Sequence, residues 1–184
     1  VIYTLQPQAS LTVIDQSTGE VKAIVGGRGD KTASKTLNRA TDTTRQPGST
    51  FKILAAYSAA LDAGGLTLAS VQDDAPYTYA GANGKSVNNY DRRYRGFTTL
   101  REAITDSINI VTVKTLAQAG VSLGWQYVQE YGFTTVDSRD MNEALALGGI
   151  TQGVSNLELT AAYAAIANQG TYIKPKFYTK ILDH

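Results

Sequence analysis

The chain has 184 residues, of which 42% are hydrophobic and 18% are charged, and its 17 Lys and Arg against 16 Asp and Glu leave a formal net charge of +1. This composition argues against disorder, predicts one globular domain, and offers no basic surface for a nucleic acid or an anionic membrane. Cysteine is absent, which excludes thiolate nucleophiles and cysteine zinc sites. The only histidine is His184, which nearly excludes a Ser-His-Asp triad, because a triad needs an imidazole held inside the fold.

The first predicted elements are a hairpin and a helix. Two runs rich in β-branched residues, 11–15 and 21–25, flank a turn-forming segment and predict a β-hairpin. A Pro-Gly turn then precedes a stretch in which apolar residues recur every three or four positions. This pattern predicts a helix that begins at Ser49 and ends at Gly64.

The second half of the chain is predicted to be mainly helical. Residues 73–95 are rich in Tyr, Asn, Gly, Asp and Arg without a sustained period, which predicts a long, mostly irregular surface loop. Capping patterns and terminal glycines then predict four helices, with Asn109 as the N-cap of the second. These helices span residues 99–104, 110–119, 122–131 and 155–168, and residues 172–182 return to an extended pattern.

Ser49 and Lys52 are candidates for a nucleophile and its base. The two residues place a hydroxyl and an amine three positions apart on one face of the predicted helix. Lysine is the usual base where histidine is unavailable, but its pKa must then fall well below about 10.4. Free N–H groups at a helix start favour negative charge developing at an attacked carbonyl. An isolated Ser-x-x-Lys is more often a helix N-cap followed by a solvated lysine.

A Ser-x-Asn triplet offers a second hydroxyl together with a carboxamide. Ser107-Ile108-Asn109 lies at the break between two predicted helices. Ser86-Val87-Asn88 has the same spacing, so spacing alone does not choose between them.

Taken together, these motifs resemble the transpeptidase domain of the class A penicillin-binding proteins, the bifunctional peptidoglycan synthases. Four blocks carry the resemblance, in the same order and over nearly the whole chain. They are the opening hairpin of residues 13–27, Arg45-Gln46-Pro47-Gly48-Ser49-Thr50-Phe51-Lys52, Leu100-Arg101-Glu102-Ala103 followed by Ser107-Ile108-Asn109, and a late segment within residues 144–170. The block that starts at Leu100 selects Ser107 over Ser86.

The resemblance implies a fold and a set of site residues. The fold would be α/β, of the α+β type, with an antiparallel sheet flanked by helices as in penicillin-binding proteins and serine β-lactamases. Ser49 would be the acylated nucleophile and Lys52 its proton acceptor. Ser107 would relay the proton, and the Asn109 amide would hold the substrate. The resemblance implies no metal and no cofactor.

The implied activity is that of a peptidoglycan D,D-transpeptidase, which cross-links stem peptides ending in D-Ala-D-Ala through a serine acyl-enzyme. β-Lactam antibiotics would acylate the same residue, Ser49. No run of the sequence approaches the roughly 18 apolar residues that span a bilayer. The resemblance implies that the parent protein lies at the extracytoplasmic face of the bacterial cell membrane, so we expect its anchor to lie outside this chain. The net charge of +1 predicts no nucleic acid among its partners.

The third motif of the family, Lys-Thr-Gly or Lys-Ser-Gly, does not occur in the chain. We therefore expect residues 1–184 to form the N-terminal and helical part of a transpeptidase domain, whose remaining strands come from a second polypeptide fragment or were lost by cleavage. Without those strands, an unpaired sheet edge and an exposed apolar face would leave the chain poorly stable or inactive.

Two other functions remain open at this point. With water as the acyl acceptor, the same residues would make a D,D-carboxypeptidase or a β-lactamase. In a non-catalytic module that binds β-lactams or peptidoglycan, Ser49 would be only a helix N-cap.

Overall fold

The computed structural model describes residues 6–31, 33–80 and 84–183, so that His184 lies outside the described residues. Within these residues the chain packs as two compact units. Of the described residues, the hairpin unit comprises 6–31, 33–45, 131–133 and 154–183, and the helical unit comprises 46–80, 84–130 and 134–153. Ser49, Lys52, Ser107 and Asn109 all belong to the helical unit.

The hairpin unit contains the predicted β-hairpin. Strands β1 (Leu11–Ile14) and β2 (Val21–Val25) pair antiparallel, with Leu11 opposite Val25. The β-branched runs and the turn between them are local signals, which is why the sequence predicts this element correctly.

Helix α5 (Asn156–Ala167) packs on β1 in the same unit. The Ser155 hydroxyl accepts a hydrogen bond from the Glu158 N–H, and the Glu158 carboxylate accepts one from the Ser155 N–H, so the predicted capping box is confirmed. Thr12 Oγ1 on β1 donates to Asn156 Oδ1 at 2.7 Å. The predicted extended segment, residues 172–182, forms no strand, and within it Lys176 makes an isolated parallel bridge with Glu20.

The helix predicted to begin at Ser49 is composite rather than regular α. A 3₁₀ turn (Gly48–Phe51), a π turn (Ile53–Tyr57) and helix α1 (Ser58–Asp62) follow one another, and together they are called the Ser49 helix. Ser58 Oγ donates to the Ile53 carbonyl at 2.8 Å, across the wider π spacing. Apolar periodicity predicts a helix here but does not distinguish among these three types.

Three further helices complete the packing of the helical unit: α2 (Leu100–Thr105), α3 (Asn109–Ala119) and α4 (Val121–Glu130). As predicted, Thr99 caps α2 by accepting from the Glu102 N–H, and Gly120 ends α3 with φ of +104°. Side chains from the Ser49 helix, α2 and α3 form one buried cluster. Its members are Tyr57, Leu100, Ala103, Ile108 and Val111.

Residues 73–95 differ in part from the predicted surface loop. Strand β3 (Val71–Asp74) pairs antiparallel with β6 (Gly96–Thr99), and β4 (Tyr77–Thr78) pairs with β5 (Ser86–Val87). Asp74, Val87 and Asn89 are buried. Strands of two to four residues are too short to produce a readable alternation of polar and apolar residues, and two of these buried residues are polar.

Two 3₁₀ turns, Ser138–Asp140 and Glu143–Leu147, close the helical unit. Asn142 caps the second by accepting from the Ala144 N–H, and Gly148 ends it with φ of +72°. Along the described residues, no helix combines the length and the apolar character needed to cross a membrane.

Candidate active site

Lys52 is the buried centre of the candidate site. Its side chain extends from the Ser49 helix, at the junction of the 3₁₀ and π turns, and only 3% of the residue is exposed. Lys52 Nζ donates to Ser107 O at 2.6 Å, to Ser107 Oγ at 2.9 Å and to Asn109 Oδ1 at 2.6 Å. The structure therefore brings three of the four predicted site residues into one hydrogen-bonded cluster.

The environment of Lys52 favours its neutral form more than water does. Burial lowers the pKa of Lys52 from 10.5 to about 8. Each acceptor oxygen favours the charged form and opposes this shift. A lysine with a pKa near the working pH can both accept and return a proton, which is the requirement for a general base.

Ser107 reaches Lys52 because of an unusual backbone conformation. Its φ is +54°, in the left-handed region, where a serine rarely lies. This conformation forms the tight link between α2 and α3, in which the Ile108 N–H donates to the Ala103 carbonyl at 2.9 Å. Both Ser107 oxygens then face Lys52 Nζ, and residues held this way cluster at functional sites.

Asn109 does not cap α3, contrary to the sequence prediction. It is the first residue of the helix, and its Oδ1 accepts from Lys52 while its Nδ2 donates to the Asn88 carbonyl at 2.8 Å. Those two contacts occupy the amide, and the Asn89 side chain satisfies the backbone N–H groups at the start of α3 instead. Contacts between distant segments of the chain therefore override the local capping preference.

Ser49 lies at the surface, one turn before Lys52. It is the second residue of the 3₁₀ turn, is exposed, and makes no hydrogen bond through its hydroxyl to any residue that the structure describes. The N-cap position belongs to Pro47, so Ser49 is not the helix cap that the non-catalytic interpretation requires. Catalytic hydrogen bonds commonly tighten only when substrate binds.

The rival triplet Ser86-Val87-Asn88 takes a different place. Ser86 and Val87 form strand β5, and the Ser86 and Asn88 side chains are exposed. Asn88 contributes its backbone carbonyl, which accepts from Asn109 Nδ2. Of the two triplets, Ser107-Ile108-Asn109 is the one whose side chains contact Lys52.

Two residues that the sequence analysis did not single out hold the turn that carries Ser49. The Gln46 amide accepts from the Ile150 N–H at 3.1 Å and donates to the Ile150 carbonyl. Gly148 lies against Gly48, where a Cβ would come within 2.5 Å of the Gly48 carbonyl oxygen. Both residues occur in the blocks that carry the family resemblance, which is the one sequence signal that could have found them.

Metal chemistry has no ligand set in the described parts of the chain. Among residues 6–31, 33–80 and 84–183, no group of three or more His, Cys, Asp or Glu side chains is arranged to hold a metal ion.

Comparison with known proteins identifies the family. The family model described as "Penicillin binding protein transpeptidase domain" matches residues 9–184. The chain belongs to the penicillin-binding protein transpeptidase family. Penicillin-binding protein 1A of Clostridium tetani is 37% identical over 194 residues, which cover 97% of this chain and 24% of that protein. Penicillin-binding protein 1F of Bacillus subtilis (strain 168) is 42% identical over 176 residues, which cover 96% of this chain and 23% of that protein.

The fold comparison agrees with the family assignment. The crystal structure of penicillin-binding protein 1A from Haemophilus influenzae superposes with a TM-score of 0.80 at 32% identity, over 92% of this chain and 25% of that chain. The predicted α/β transpeptidase fold and the resemblance to class A penicillin-binding proteins are confirmed. This chain spans about a quarter of the length of the curated relatives it matches.

The contact between Gly148 and Gly48 generates a first prediction. In Gly148→Ala, the new methyl group would overlap the Gly48 backbone and displace the turn that carries Ser49. We expect modification of Ser49 by a labelled penicillin, measured in the full-length protein that contains this sequence, to slow on the order of 10-fold to 100-fold.

Gly65→Ala is the matched control, because Gly65 has the same φ of +72° but no atom within 4 Å of the added Cβ. It carries the same left-handed strain, which costs about 1 kcal/mol. Equal rates of Ser49 modification in the two variants would contradict the claim that Gly148 positions the turn.

Proposed function

We propose that this chain supplies the nucleophile and its proton-transfer residues to a peptidoglycan D,D-transpeptidase. The observation that carries the proposal is the convergence of Ser107 O, Ser107 Oγ and Asn109 Oδ1 on buried Lys52 Nζ, one turn from the exposed Ser49 hydroxyl. Membership of a transpeptidase family supports the same assignment. Substrate, partners and location are proposed for the whole protein, of which the chain spans only a part.

The hydrogen-bond partners of Lys52 favour one path for the proton. The charged ammonium has three N–H donors, and each has an oxygen acceptor. Neutral Lys52 keeps two donors and gains a lone pair. The Ser107 carbonyl and Asn109 Oδ1 can only accept, so they retain the two N–H groups. The Ser107 hydroxyl can also donate, so the lone pair of Lys52 faces it, and Ser107 becomes the relay.

In the acylation step, Ser49 Oγ attacks the carbonyl carbon of the penultimate D-Ala of a stem peptide. The Ser49 proton passes through the Ser107 hydroxyl to Lys52. When the tetrahedral intermediate collapses, the C–N bond breaks and the proton returns along the same route to the nitrogen of the leaving D-Ala. The product is an ester between Ser49 and the shortened stem peptide.

In the transfer step, an amine of a neighbouring stem peptide attacks the Ser49 ester. Its proton passes through Ser107 to Lys52 and then to Ser49 Oγ as the ester C–O bond breaks, which regenerates the free serine and leaves a new amide cross-link. In both steps, Asn109 Nδ2 donates one hydrogen to the Asn88 carbonyl, which keeps the Asn109 oxygen on Lys52. The second hydrogen of Nδ2 is the one with which the Asn109 amide would hold the substrate, the role that the family resemblance implies.

β-Lactams would acylate Ser49 by the same first step, with opening of the lactam ring replacing loss of D-Ala. We place the parent protein at the extracytoplasmic face of the bacterial cell membrane, where its peptidoglycan substrate lies. Because the Lys-Thr-Gly or Lys-Ser-Gly motif does not occur in this sequence, the experiments below use the full-length protein.

The nucleophile assignment predicts a site-specific adduct. After incubation with a labelled penicillin, intact mass followed by peptide mapping should place a stoichiometric adduct on Ser49. Ser49→Ala should give none, because no ester can form. Thr50→Ala removes the neighbouring hydroxyl, which donates to the Pro47 carbonyl at 2.7 Å, and should keep the adduct because Ser49 is unchanged. An adduct of unchanged stoichiometry in Ser49→Ala would contradict the assignment.

The base assignment predicts a pH dependence. Only neutral Lys52 can accept the Ser49 proton, and with a pKa of about 8 roughly one molecule in ten holds it neutral at pH 7. The acylation rate constant, measured by rapid mixing with a chromogenic β-lactam, should therefore rise with pH, with its midpoint near 8. A rate that is flat from about pH 7 to 9 would refute Lys52 as the base.

A further inference from the structure

Helix α3, which carries Asn109, begins without a cap of its own. The residue at its N-cap position is Ile108, whose side chain has no acceptor, and the Asn109 amide is occupied by Lys52 and the Asn88 carbonyl. The first N–H groups of a helix lack acceptors within the helix, and leaving them unsatisfied in a buried position is costly.

Asn89 supplies the missing acceptor from outside the helix. Its Oδ1 accepts from the Asn109 N–H at 3.0 Å and from the Ile110 N–H at 3.1 Å. Asn89 is 4% exposed, so its contacts with the helix are shielded from water. The side chain of Asn89 and the carbonyl of Asn88 together hold both the backbone and the side chain of Asn109.

Asp74 and the segment after Asn89 fix the orientation of the Asn89 amide. Asn89 Nδ2 donates to Asp74 Oδ1 at 2.8 Å, to Asp74 Oδ2 at 3.0 Å and to the Arg93 carbonyl at 2.8 Å. Because carboxylate and carbonyl oxygens only accept, the NH₂ group must face them and Oδ1 must face α3. Asp74 is fully buried, and it also accepts from the Arg95 N–H at 3.0 Å.

We propose that Asn89, oriented by Asp74, is a positioning residue that fixes the start of α3 so that Asn109 and Ser107 stay in place around Lys52. The inference rests on the proposed function, since its measured effect is on the acylation of Ser49. Asn89 lies 20 residues before Asn109 in sequence and touches neither Ser49 nor Lys52 through any hydrogen bond that the structure describes.

The test compares Asn89→Ala with Ser155→Ala in the full-length protein. Both variants lose a side chain that caps a helix, but α5, which Ser155 caps, carries no site residue. We expect a comparable loss of thermal stability in both. Acylation of Ser49 by a chromogenic β-lactam should slow about 10-fold in Asn89→Ala and stay unchanged in Ser155→Ala.

The pH profile separates positioning from stability alone. If Asn89→Ala loosens Asn109, Lys52 loses an acceptor that favours its charged form, so the pKa of Lys52 falls. In a plot of the acylation rate constant against pH, the rising limb then moves to lower pH. A purely structural role would leave that limb in place. Unchanged acylation in Asn89→Ala, or slower acylation with an unmoved limb, would overturn the proposal.

A second pair of variants decides the matter if Asn89→Ala does not fold. Asp74→Asn keeps the shape of the side chain but removes the charge that orients Asn89, and Asp73→Asn makes the same change at the exposed neighbour. We expect about 3-fold slower acylation and a shifted limb in Asp74→Asn only. Equal behaviour of the pair would overturn the proposal. Absence of any Ser49 adduct in the wild-type protein would instead refute the proposed function.

Discussion

The geometry of the site depends on the burial of one amine, that of Lys52, among oxygens that belong to a single turn. Burial disfavours the charge, whereas Ser107 O, Ser107 Oγ and Asn109 Oδ1 accept the three N–H groups of the charged form. The two protonation states therefore lie close in free energy, which a group that must take up and release a proton requires. The same contacts join the Ser49 helix to the link between α2 and α3.

The rest of the helical unit fixes the position of the Ser49 helix relative to the link between α2 and α3. Buried Tyr57 of the Ser49 helix hydrogen-bonds to Thr112 of α3 at 2.8 Å, and the hydrophobic cluster around Tyr57 packs the same helices together. The Gln46 side chain accepts a hydrogen bond from the Ile150 N–H, and Gly148, which has no side chain, allows the turn that carries Ser49 to pack closely against it. Positioning of this kind matters because displacement of a reacting group by about 1 Å can cost on the order of 10²-fold in rate.

Features with local causes could be predicted from the sequence. The hairpin, the Ser155 capping box and the end of α3 at Gly120 each depend on residues within a few positions of one another. The sequence predictions that the structure contradicts concern residues whose hydrogen-bond partners lie in distant segments of the chain. Asn109 is occupied by Lys52 rather than capping its own helix, and residues 73–95 contain the buried pair Asp74 and Asn89, whose partners lie up to 21 positions away. Family motifs indicated the residues of the candidate site, of which Lys52, Ser107 and Asn109 form one hydrogen-bonded cluster, but not the contacts that support them.

The most direct test of this account is an NMR titration of the side-chain nitrogen of Lys52 in the full-length protein with isotopically labelled lysine, assigned with a Lys52→Arg variant. Lys52 should titrate near pH 8, well below the reference lysine pKa of about 10.4, and at lower pH still in Asn109→Ala, where one acceptor is lost. A Lys52 signal that titrates near 10.4, the reference pKa of a lysine side chain in water, would contradict this burial-based explanation.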